Sequence, residues 1–305
     1  MIKIFGHLGP DTDATCSALI WEWYLKDVQG KKAQAFVQEP PNTEAIFVLE
    51  YWGIEMPDTL GPLAETDEVV IVDTNNPGEL PVNVNDTHIA EVIDHHQLSG
   101  GLKTKGPIKF TIRPVAATAT VMSWLIGRDM ARMPDPIKGL MLSCVLSDTL
   151  EFRSPTTTPT DRALAERLAG ELNITIPDYA AQMFAAKSDV SAFSDAELLK
   201  MDSKIFEVDG KKLRVSVLET TAPAIVLDRK AALIAAMPDV AASDGADHVL
   251  LFVIDILNEE ATLLIPNDTV KSIAEKSFDV VVEGDKVVLP GVMSRKKQIV
   301  PNLQV

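Results

Sequence analysis

Aspartate and histidine side chains stand at or just after the end of an apolar run in four short segments of this chain. They are His7, Asp11, Asp13, Asp73, His95 and Asp148. A buried carboxylate is costly unless a positive group compensates for its charge. Four carboxylates that converge with two imidazoles therefore predict bound cations. This mixture of ligands is typical of a pair of divalent metal ions.

Each segment also has an ordinary structural interpretation. Asp11 and Asp13 lie in a loop with glycine and proline, where aspartate commonly forms turns. Asp73 could begin a turn, and Asp148 could end a helix, although a negative charge opposes the helix dipole there. The run Asp94-His95-His96 is the most specific of the four, because the chain has only five histidines. Taken together, the four segments favour metal binding.

The two residues that flank His95 are expected to assist it. Asp94 should fix the tautomer of an imidazole, because a metal-bound histidine usually donates its second ring nitrogen to an oxygen acceptor. His96 is predicted to face the substrate as a hydrogen-bond donor. The other interior candidates, His88 and His248, are expected to be structural.

Positive charge is concentrated near the C-terminus, in Ser294-Arg295-Lys296-Lys297. A short basic run is usually solvated surface, but Gly291 and the apolar pair Ile299-Val300 indicate a strand-and-turn setting here. A forked guanidinium beside an ammonium is suited to binding a phosphate dianion. Lys204 is a further candidate, although on its own it resembles an ordinary surface lysine.

The composition limits the class of protein. The chain has 305 residues, of which 46% are hydrophobic and 24% charged, as is usual for soluble globular proteins. Its formal net charge of −16 argues against a nucleic-acid partner, which requires clustered positive charge. No apolar run approaches the roughly 20 residues that cross a bilayer. With two cysteines and no signal peptide expected, we predict a cytoplasmic protein without a disulfide framework or a membrane partner.

Short apolar runs alternate with helical patterns in the first part of the chain. Strands are predicted at residues 2–5, 33–37, 68–73 and 88–94. Helices are predicted at residues 15–24, 43–51, 116–126, 136–146, 160–172 and 177–187. This alternation indicates a doubly wound parallel sheet, in which ligands bind beyond the carboxyl ends of the strands at a topological switch point. His7, Asp73 and His95 all fall at such positions.

The last third of the chain has a different pattern. Hairpins are predicted around Asp209-Gly210 and around Asn258-Glu259-Glu260, with a helix at residues 222–236 between them. These elements indicate a smaller α/β domain with a mixed sheet. We therefore predict three parts, which are a metal-binding catalytic domain at residues 1–188, a linker at residues 189–194 and a second domain at residues 195–305.

These motifs resemble those of the manganese-dependent (family II) inorganic pyrophosphatases of the DHH phosphoesterase superfamily. The matching stretches are residues 6–13, 69–73, 92–96, 147–158, 202–206 and 291–301. Asp94-His95-His96 marks the superfamily, and Ser294-Arg295-Lys296-Lys297-Gln298 narrows the resemblance to pyrophosphatases. One departure is Asp73-Thr74-Asn75, where many members have Asp-His-Asn. The family's histidine there is not a direct ligand, so the metal set is expected to remain, while metal preference and turnover could differ.

The resemblance implies a role for each candidate. One ion would be held by His7, Asp11 and Asp73, and the other by Asp13, Asp73, His95 and Asp148, so that Asp73 bridges the two. The phosphates would be bound by His96, Lys204, Arg295 and Lys296. The family fold implies a DHH domain, a smaller DHHA2-like domain, an active site in the cleft between them, and a homodimer. The ligand set favours two Mn²⁺ ions, with Co²⁺ as an alternative and Mg²⁺ arriving with the substrate.

The predicted reaction is the hydrolysis of inorganic pyrophosphate to two orthophosphates. Two metal ions would lower the pKa of a bridging water, and the resulting hydroxide would attack one phosphorus in line. One alternative is a DHH-superfamily phosphodiesterase or phosphatase that acts on a small nucleotide, but the C-terminal region offers no aromatic platform for a base beyond Phe278. The other is a metal-dependent regulator with a degenerate site, which the six intact ligand positions disfavour.

Overall fold

The computed structural model describes every residue from Met1 to Val305. The chain divides into two compact units, Met1–Lys187 and Ser188–Val305. None of the helices has the length and apolar character that crossing a bilayer requires. Cys16 and Cys144 are buried free thiols.

The first unit is built on a six-stranded sheet in which all neighbouring strands are parallel. Its strands are β1 (Ile2–Phe5), β2 (Ala33–Val37), β3 (Asp58–Thr59), β4 (Glu68–Val72), β5 (His88–Asp94) and β6 (Lys109–Ile112). They lie in the order β3-β2-β1-β4-β5-β6. The order reverses between β1 and β4, which makes that pair the topological switch point of a doubly wound sheet. The central strands are almost entirely apolar and buried, as parallel strands covered on both faces require.

The helices of the first unit bring the polar segments to defined places. They are α1 (Thr12–Trp23), α2 (Thr43–Trp52), α3 (Thr118–Ile126), α4 (Asp135–Asp148), α5 (Pro159–Leu172) and α6 (Ile176–Lys187). The most extensively packed pair is α1 with α4, and both helices are buried along most of their length. Because these two helices are fixed in the interior, the start of α1 and the end of α4 are held in place.

The sequence predicts most of this unit. The expected bounds of β1, β2 and β5 are those observed, and the doubly wound parallel sheet is confirmed. The main shift is at α1, which begins three residues earlier than expected because the Asp11 side chain caps it, accepting a hydrogen bond from the Ala14 amide at 3.0 Å. The short strands β3 and β6 are not predicted, since their residues are mostly exposed and lack a clear apolar period.

The second unit has a five-stranded mixed sheet with helices. Its strands are β7 (Ser203–Val208), β8 (Lys211–Thr220), β9 (His248–Asp255), β10 (Glu260–Leu264) and β11 (Lys286–Pro290). The order is β11-β10-β9-β8-β7, and only the β8–β9 pair is parallel. Alternate residues of β9 enter different apolar clusters, Phe252 on one face of the sheet and Leu251 on the other. The helices of this unit are α7 (Asp195–Lys200), α8 (Pro223–Leu227), α9 (Lys230–Asp244) and α10 (Asp268–Phe278).

Both predicted hairpins and the mixed sheet are confirmed in this unit. The single helix expected at residues 222–236 is wrong, because the chain forms α8 and α9 with a break at Asp228 and Arg229, and α9 continues to Asp244. Residues 188–194 contain no helix or strand. Val190 nevertheless packs into the apolar core of this unit, and the Arg229 guanidinium donates to the Val190 carbonyl at 3.0 Å. The expected linker therefore packs against the core of the second unit and is hydrogen-bonded to it through Val190.

Candidate metal centre

Three of the predicted ligands follow three adjacent strands of the parallel sheet. His7 comes two residues after β1, Asp73 directly after β4, and His95 directly after β5. Neighbouring parallel strands end at the same edge, so the sheet itself gathers these side chains beside the switch point. These three residues lie at the strand ends where the sequence predicts them.

Asp73 occupies the centre of the cluster. Its backbone is in the left-handed region, with φ 59°, and its amide donates to the Ile93 carbonyl at 2.9 Å. A left-handed aspartate directly after a buried strand is an uncommon conformation that the surrounding structure must hold in place. Its two carboxylate oxygens face different histidines: Oδ2 lies 3.5 Å from His7 Nε2, and Oδ1 lies 3.4 Å from His95 Nε2. One carboxylate can therefore serve two neighbouring groups of ligands.

The first group consists of His7, Asp11 and Asp73, whose ligand atoms lie within 4.8 Å of one another. The His7 Nδ1 donates to the Leu8 carbonyl at 2.9 Å, which leaves Nε2 as the ligand atom. That nitrogen lies 3.6 Å from Asp11 Oδ1. Asp11 is also the cap of α1, so the helix start fixes its position.

The second group consists of Asp13, His95 and Asp148, again with ligand atoms within 4.8 Å of one another. Asp13 lies in the first turn of α1 and is fully buried, and its carboxylate accepts the Ser17 hydroxyl at 2.9 Å. Asp148 is the last residue of α4, which continues two residues beyond its predicted end at residue 146, and its Oδ2 lies 3.9 Å from His95 Nε2. The two buried helices thus deliver one carboxylate each to this group.

The electrostatics of the cluster follow from its burial. Burial, followed by the charge of Asp73, raises the pKa of the Asp13 carboxyl to about 7. Burial together with the charges of Asp13 and Asp73 also raises the pKa of Asp148 well above its usual range. Burial alone would lower the pKa of His95, but Asp73 and Asp13 outweigh it and raise that pKa to about 9. Likewise, Asp11 and Asp73 overcome the effect of burial and raise the pKa of His7 to about 11.

This donor set fits divalent metal ions. Metal ligands must be deprotonated carboxylates and neutral imidazoles, so a divalent cation would release the protons that these groups otherwise hold. Carboxylate oxygens mixed with imidazole nitrogens suit Mn²⁺ or Co²⁺ better than Mg²⁺, which prefers oxygen ligands. The residues present can therefore hold two such ions, one in each group, with Asp73 between them.

Asp94 orients His96 rather than the candidate ligand His95. The His96 Nδ1 donates to Asp94 Oδ1 at 2.9 Å, and the Asn75 amide donates to the other Asp94 oxygen at 2.6 Å. The hydrogen bond that His96 donates to Asp94 raises the pKa of His96. The His95 Nδ1 instead donates to the Val115 carbonyl at 3.0 Å, which points its Nε2 at the cluster. His96 also lies close enough to Asp73 and His95 to form a third group of ligand atoms, but its Nδ1 is already committed to Asp94.

The segment at the start of α3 contacts three of the candidate ligands, and this role is not predicted from the sequence. Val115 holds His95 as described, and the Thr118 hydroxyl donates to Asp73 Oδ1 at 2.9 Å. The backbone amides of Thr118 and Ala119 donate to Asp13. A threonine near a helix start is the sequence signal that could have identified this segment, although it is also common as a simple cap.

Thr74, where the resembling family often has histidine, has its own hydrogen bonds. Its hydroxyl donates to Glu79 Oε2 at 2.7 Å and accepts the Asn76 amide at 3.1 Å. Thr74 also lines a cavity of about 340 Å³ together with His7, His96, Glu79 and Ser99. Thr74 therefore shapes the wall beside the cluster without offering it a ligand.

The predicted phosphate-binding residues other than His96 belong to the second unit. Arg295 begins a helical turn (Arg295–Ile299) that follows β11, and its guanidinium donates to the Asp202 carbonyl at 2.7 Å and pairs with the Asp202 carboxylate at 2.8 Å. Lys204 lies two residues beyond Asp202, at the start of β7. The side chains of Lys204 and Lys296 are exposed. The structure thus brings Arg295 to the segment that carries Lys204 and leaves both lysines accessible.

Comparisons with known proteins cover nearly the whole chain. The family described as "DHH family, N-terminal domain" matches residues 1–148, and the "DHHA2 domain" matches residues 181–305. A relative from Deinococcus radiodurans is 39% identical over 100% of this chain and 98% of its own length. A second, from Lactobacillus acidophilus, is 34% identical over 98% of this chain and 96% of its own length. Each is named "Probable manganese-dependent inorganic pyrophosphatase".

Two solved structures are similar to this chain over nearly its whole length. The crystal structure of a Methanococcus jannaschii protein named "putative family II inorganic pyrophosphatase" matches with a TM-score of 0.62 and 31% identity over 99% of this chain and 98% of that one. An exopolyphosphatase-related protein from Bacteroides fragilis has a TM-score of 0.52 at 14% identity over 98% of this chain and 89% of that one, which is a likeness of fold.

Proposed function

Because this chain belongs to the manganese-dependent (family II) inorganic pyrophosphatases of the DHH superfamily, we propose that it hydrolyses inorganic pyrophosphate to two orthophosphates at a two-metal site. The observation that carries the proposal is the position of Asp73, whose two oxygens face His7 and His95 at 3.5 and 3.4 Å. A carboxylate shared in this way is what a pair of adjacent cations requires.

The proposed ligand sets are those implied by the resemblance to this family. His7, Asp11 and Asp73 hold one Mn²⁺ ion, and Asp13, Asp73, His95 and Asp148 hold the other, with Co²⁺ as a substitute and Mg²⁺ accompanying the substrate. When bound, such a pair of ions supplies Lewis-acid activation of water and positive charge for phosphoryl oxygens. The support for two ions is that the donor atoms fall into separate groups joined by one carboxylate.

The remaining candidate residues act on the substrate. The His96 Nδ1–H donates to Asp94, and this hydrogen bond raises the pKa of His96 and favours the protonated ring, whose Nε2–H donates to a phosphoryl oxygen. Lys204, Arg295 and Lys296 neutralise the charge on the phosphates as it shifts toward the leaving group, which is the main protein contribution in phosphoryl transfer. Arg295 offers a planar fork, while the two lysines offer mobile ammonium groups.

The proposal extends to the organisation of the protein. Residues 1–188 form the catalytic domain, residues 189–194 the connection, and residues 195–305 the substrate-binding domain. The enzyme works as a homodimer in the cytoplasm. The two buried cysteines, both free, support a reducing compartment. A molar mass measured by light scattering at micromolar concentration tests the dimer.

A substrate comparison tests the activity. We expect the full-length protein with Mn²⁺ to release phosphate from pyrophosphate much faster than from cyclic dinucleotides or 3′-phosphorylated nucleotides. Replacing Mn²⁺ with Mg²⁺ alone should slow the reaction. Asp148→Asn should abolish turnover while leaving the circular dichroism spectrum unchanged. A preference for a nucleotide, or full turnover in the Asp148→Asn protein, would refute the proposed function.

A further inference from the structure

Glu44 is a fully buried carboxylate in the first turn of α2, and none of the proposed ligand sets includes it. An acidic residue at a helix start usually reaches solvent and interacts with the helix dipole. Glu44 instead points into the interior of the first unit. Burying a carboxylate is costly, so its contacts there need a reason.

Those contacts lead to the segments that carry the candidate ligands. The Oε2 atom of Glu44 accepts the Thr12 hydroxyl at 2.9 Å and the Ser147 hydroxyl at 2.6 Å. Thr12 lies between Asp11 and Asp13 in the chain, and Ser147 directly precedes Asp148. A single oxygen atom therefore joins the start of α1 to the end of α4, the two places from which helices deliver carboxylates to the metal centre.

The surroundings of Glu44 do not serve stability alone. The Lys187 ammonium lies 3.3 Å from the same Oε2 and supplies partial compensation for its charge, although the lysine side chain is itself 39% exposed. The second oxygen, Oε1, is buried and has no hydrogen-bond partner. A buried acceptor without a partner lowers stability, and an apolar side chain of similar size would avoid that cost.

We propose that Glu44 is a positioning residue of the metal centre, which holds the loop of Asp11 and Asp13 at a fixed separation from Asp148. Glu44 touches no ligand itself and acts through the hydroxyls of Thr12 and Ser147. The inference deepens the proposed function, because it assumes that these aspartates bind metal ions. It assigns to Glu44 an effect on metal affinity that a merely structural carboxylate would not have.

The two hydrogen bonds make the effect unequal for the two ions. Ser147 adjoins Asp148, which belongs to the second group only. Thr12 adjoins Asp11 of the first group and Asp13 of the second. Loss of the Ser147 hydroxyl should therefore weaken the binding of the second ion only, whereas loss of the Thr12 hydroxyl should weaken the binding of both ions.

Calorimetric titration of Mn²⁺ into chelator-treated, full-length protein tests this inference without any activity measurement. Ser147→Ala should weaken one of two Mn²⁺ sites by about 10-fold, and Thr12→Val should weaken both by about 10-fold, since losing an outer hydrogen-bond partner typically costs 10–100-fold in metal affinity. Glu44→Ala should weaken both sites toward the upper end of that range. Glu44→Gln keeps an acceptor oxygen and should restore affinity to within a few-fold of wild type.

Ser143→Ala is the matched control. Ser143 lies one turn before Ser147 on α4, is also fully buried, and hydrogen-bonds to the Gly139 carbonyl and to the Tyr179 hydroxyl, away from the ligands. It should lower the thermal unfolding midpoint as Ser147→Ala does and leave both Mn²⁺ affinities unchanged.

The outcomes separate this inference from the proposed function. If wild type binds two Mn²⁺ ions, and Thr12→Val and Ser147→Ala bind them equally tightly, Glu44 has a structural role only and the inference is refuted. If Glu44→Ala does not fold, those two hydroxyl variants still decide the question. If wild type binds no pair of Mn²⁺ ions, the proposed two-metal site itself fails.

Discussion

At the scale of single residues, the site depends on one carboxylate that faces two imidazoles. Burial would raise the pKa of Asp73, but the hydrogen bonds from His7 and His95 outweigh it and lower that pKa, whereas burial and neighbouring negative charges raise the pKa values of Asp13 and Asp148. The Thr118 hydroxyl holds the oxygen that faces His95. A charged, oriented and shared carboxylate is therefore in place before any ion binds.

Asp73→Asn tests that shared role against Asp11→Asn. The amide keeps the shape of the Asp73 side chain but loses its charge, so Asp73→Asn should weaken the binding of both Mn²⁺ ions. Turnover should fall by at least roughly 10–100-fold, which is the typical effect of losing a hydrogen-bond partner of a metal ligand. Asp11→Asn should weaken one ion only. Asparagine caps a helix as well as aspartate does, so α1 should remain intact in that control. Metal stoichiometry from equilibrium dialysis would reveal the difference, and equal losses in the two variants would exclude a bridging role.

At the scale of helices and strands, the site depends on how tightly α4 packs. Gly139 on α4 faces the Trp52 ring of α2, and a Cβ atom built there would lie 2.1 Å from the ring carbons. The Trp52 indole in turn donates to the Tyr179 hydroxyl at 2.7 Å. Close approach of α4 to α2 needs a residue without a side chain, and this approach also brings Ser147 to Glu44.

Gly139→Ala should therefore destabilise the first unit. Overpacking of a buried site typically costs about 1–3 kcal/mol, and a thermal melt of the Mn²⁺-free protein would measure it. Gly170→Ala on α5 is the control, because a Cβ there meets nothing within 4 Å and alanine favours a helix by roughly 0.5–1 kcal/mol over glycine. An unchanged melting temperature for Gly139→Ala would mean that α2 and α4 can separate at little cost.

The same elements explain which parts of the site a sequence can predict. His7, Asp73 and His95 follow strands of a sheet whose switch point is recognisable from the order of apolar runs, so their convergence is predictable. Glu44 and Thr118 are different, because each looks like an ordinary residue of a helix start. Their importance arises from contacts with residues more than 30 positions away, such as Thr118 with Asp73, which only tertiary packing determines.

At the scale of the whole molecule, the chain consists of two units that each possess an apolar core. The second unit buries two clusters on the opposite faces of its mixed sheet, and the first buries its own around the parallel sheet. The candidate metal ligands all lie in Met1–Lys187, whereas Lys204, Arg295 and Lys296 all lie in Ser188–Val305. The sequence indicates this division through the change from alternating strands and helices to hairpins. It does not indicate that Arg295 pairs with Asp202, because the partners are 93 residues apart.

This division predicts that changes in the second unit alter substrate binding and leave metal binding intact. Arg295→Lys keeps the positive charge but loses the planar guanidinium that binds two oxygens. The KM for pyrophosphate should therefore rise about 10-fold, which corresponds to the free energy of one hydrogen bond to a charged group. The Asp202 side chain that pairs with Arg295 is 63% exposed, so the stability of the protein should change little.

Lys297→Ala, in the same basic run, is the control and should leave KM near wild type. Mn²⁺ affinity should be unchanged in both variants, since every proposed ligand belongs to the other unit. A weaker Mn²⁺ affinity in Arg295→Lys, with KM unaltered, would show that the two units do not divide the work in this way.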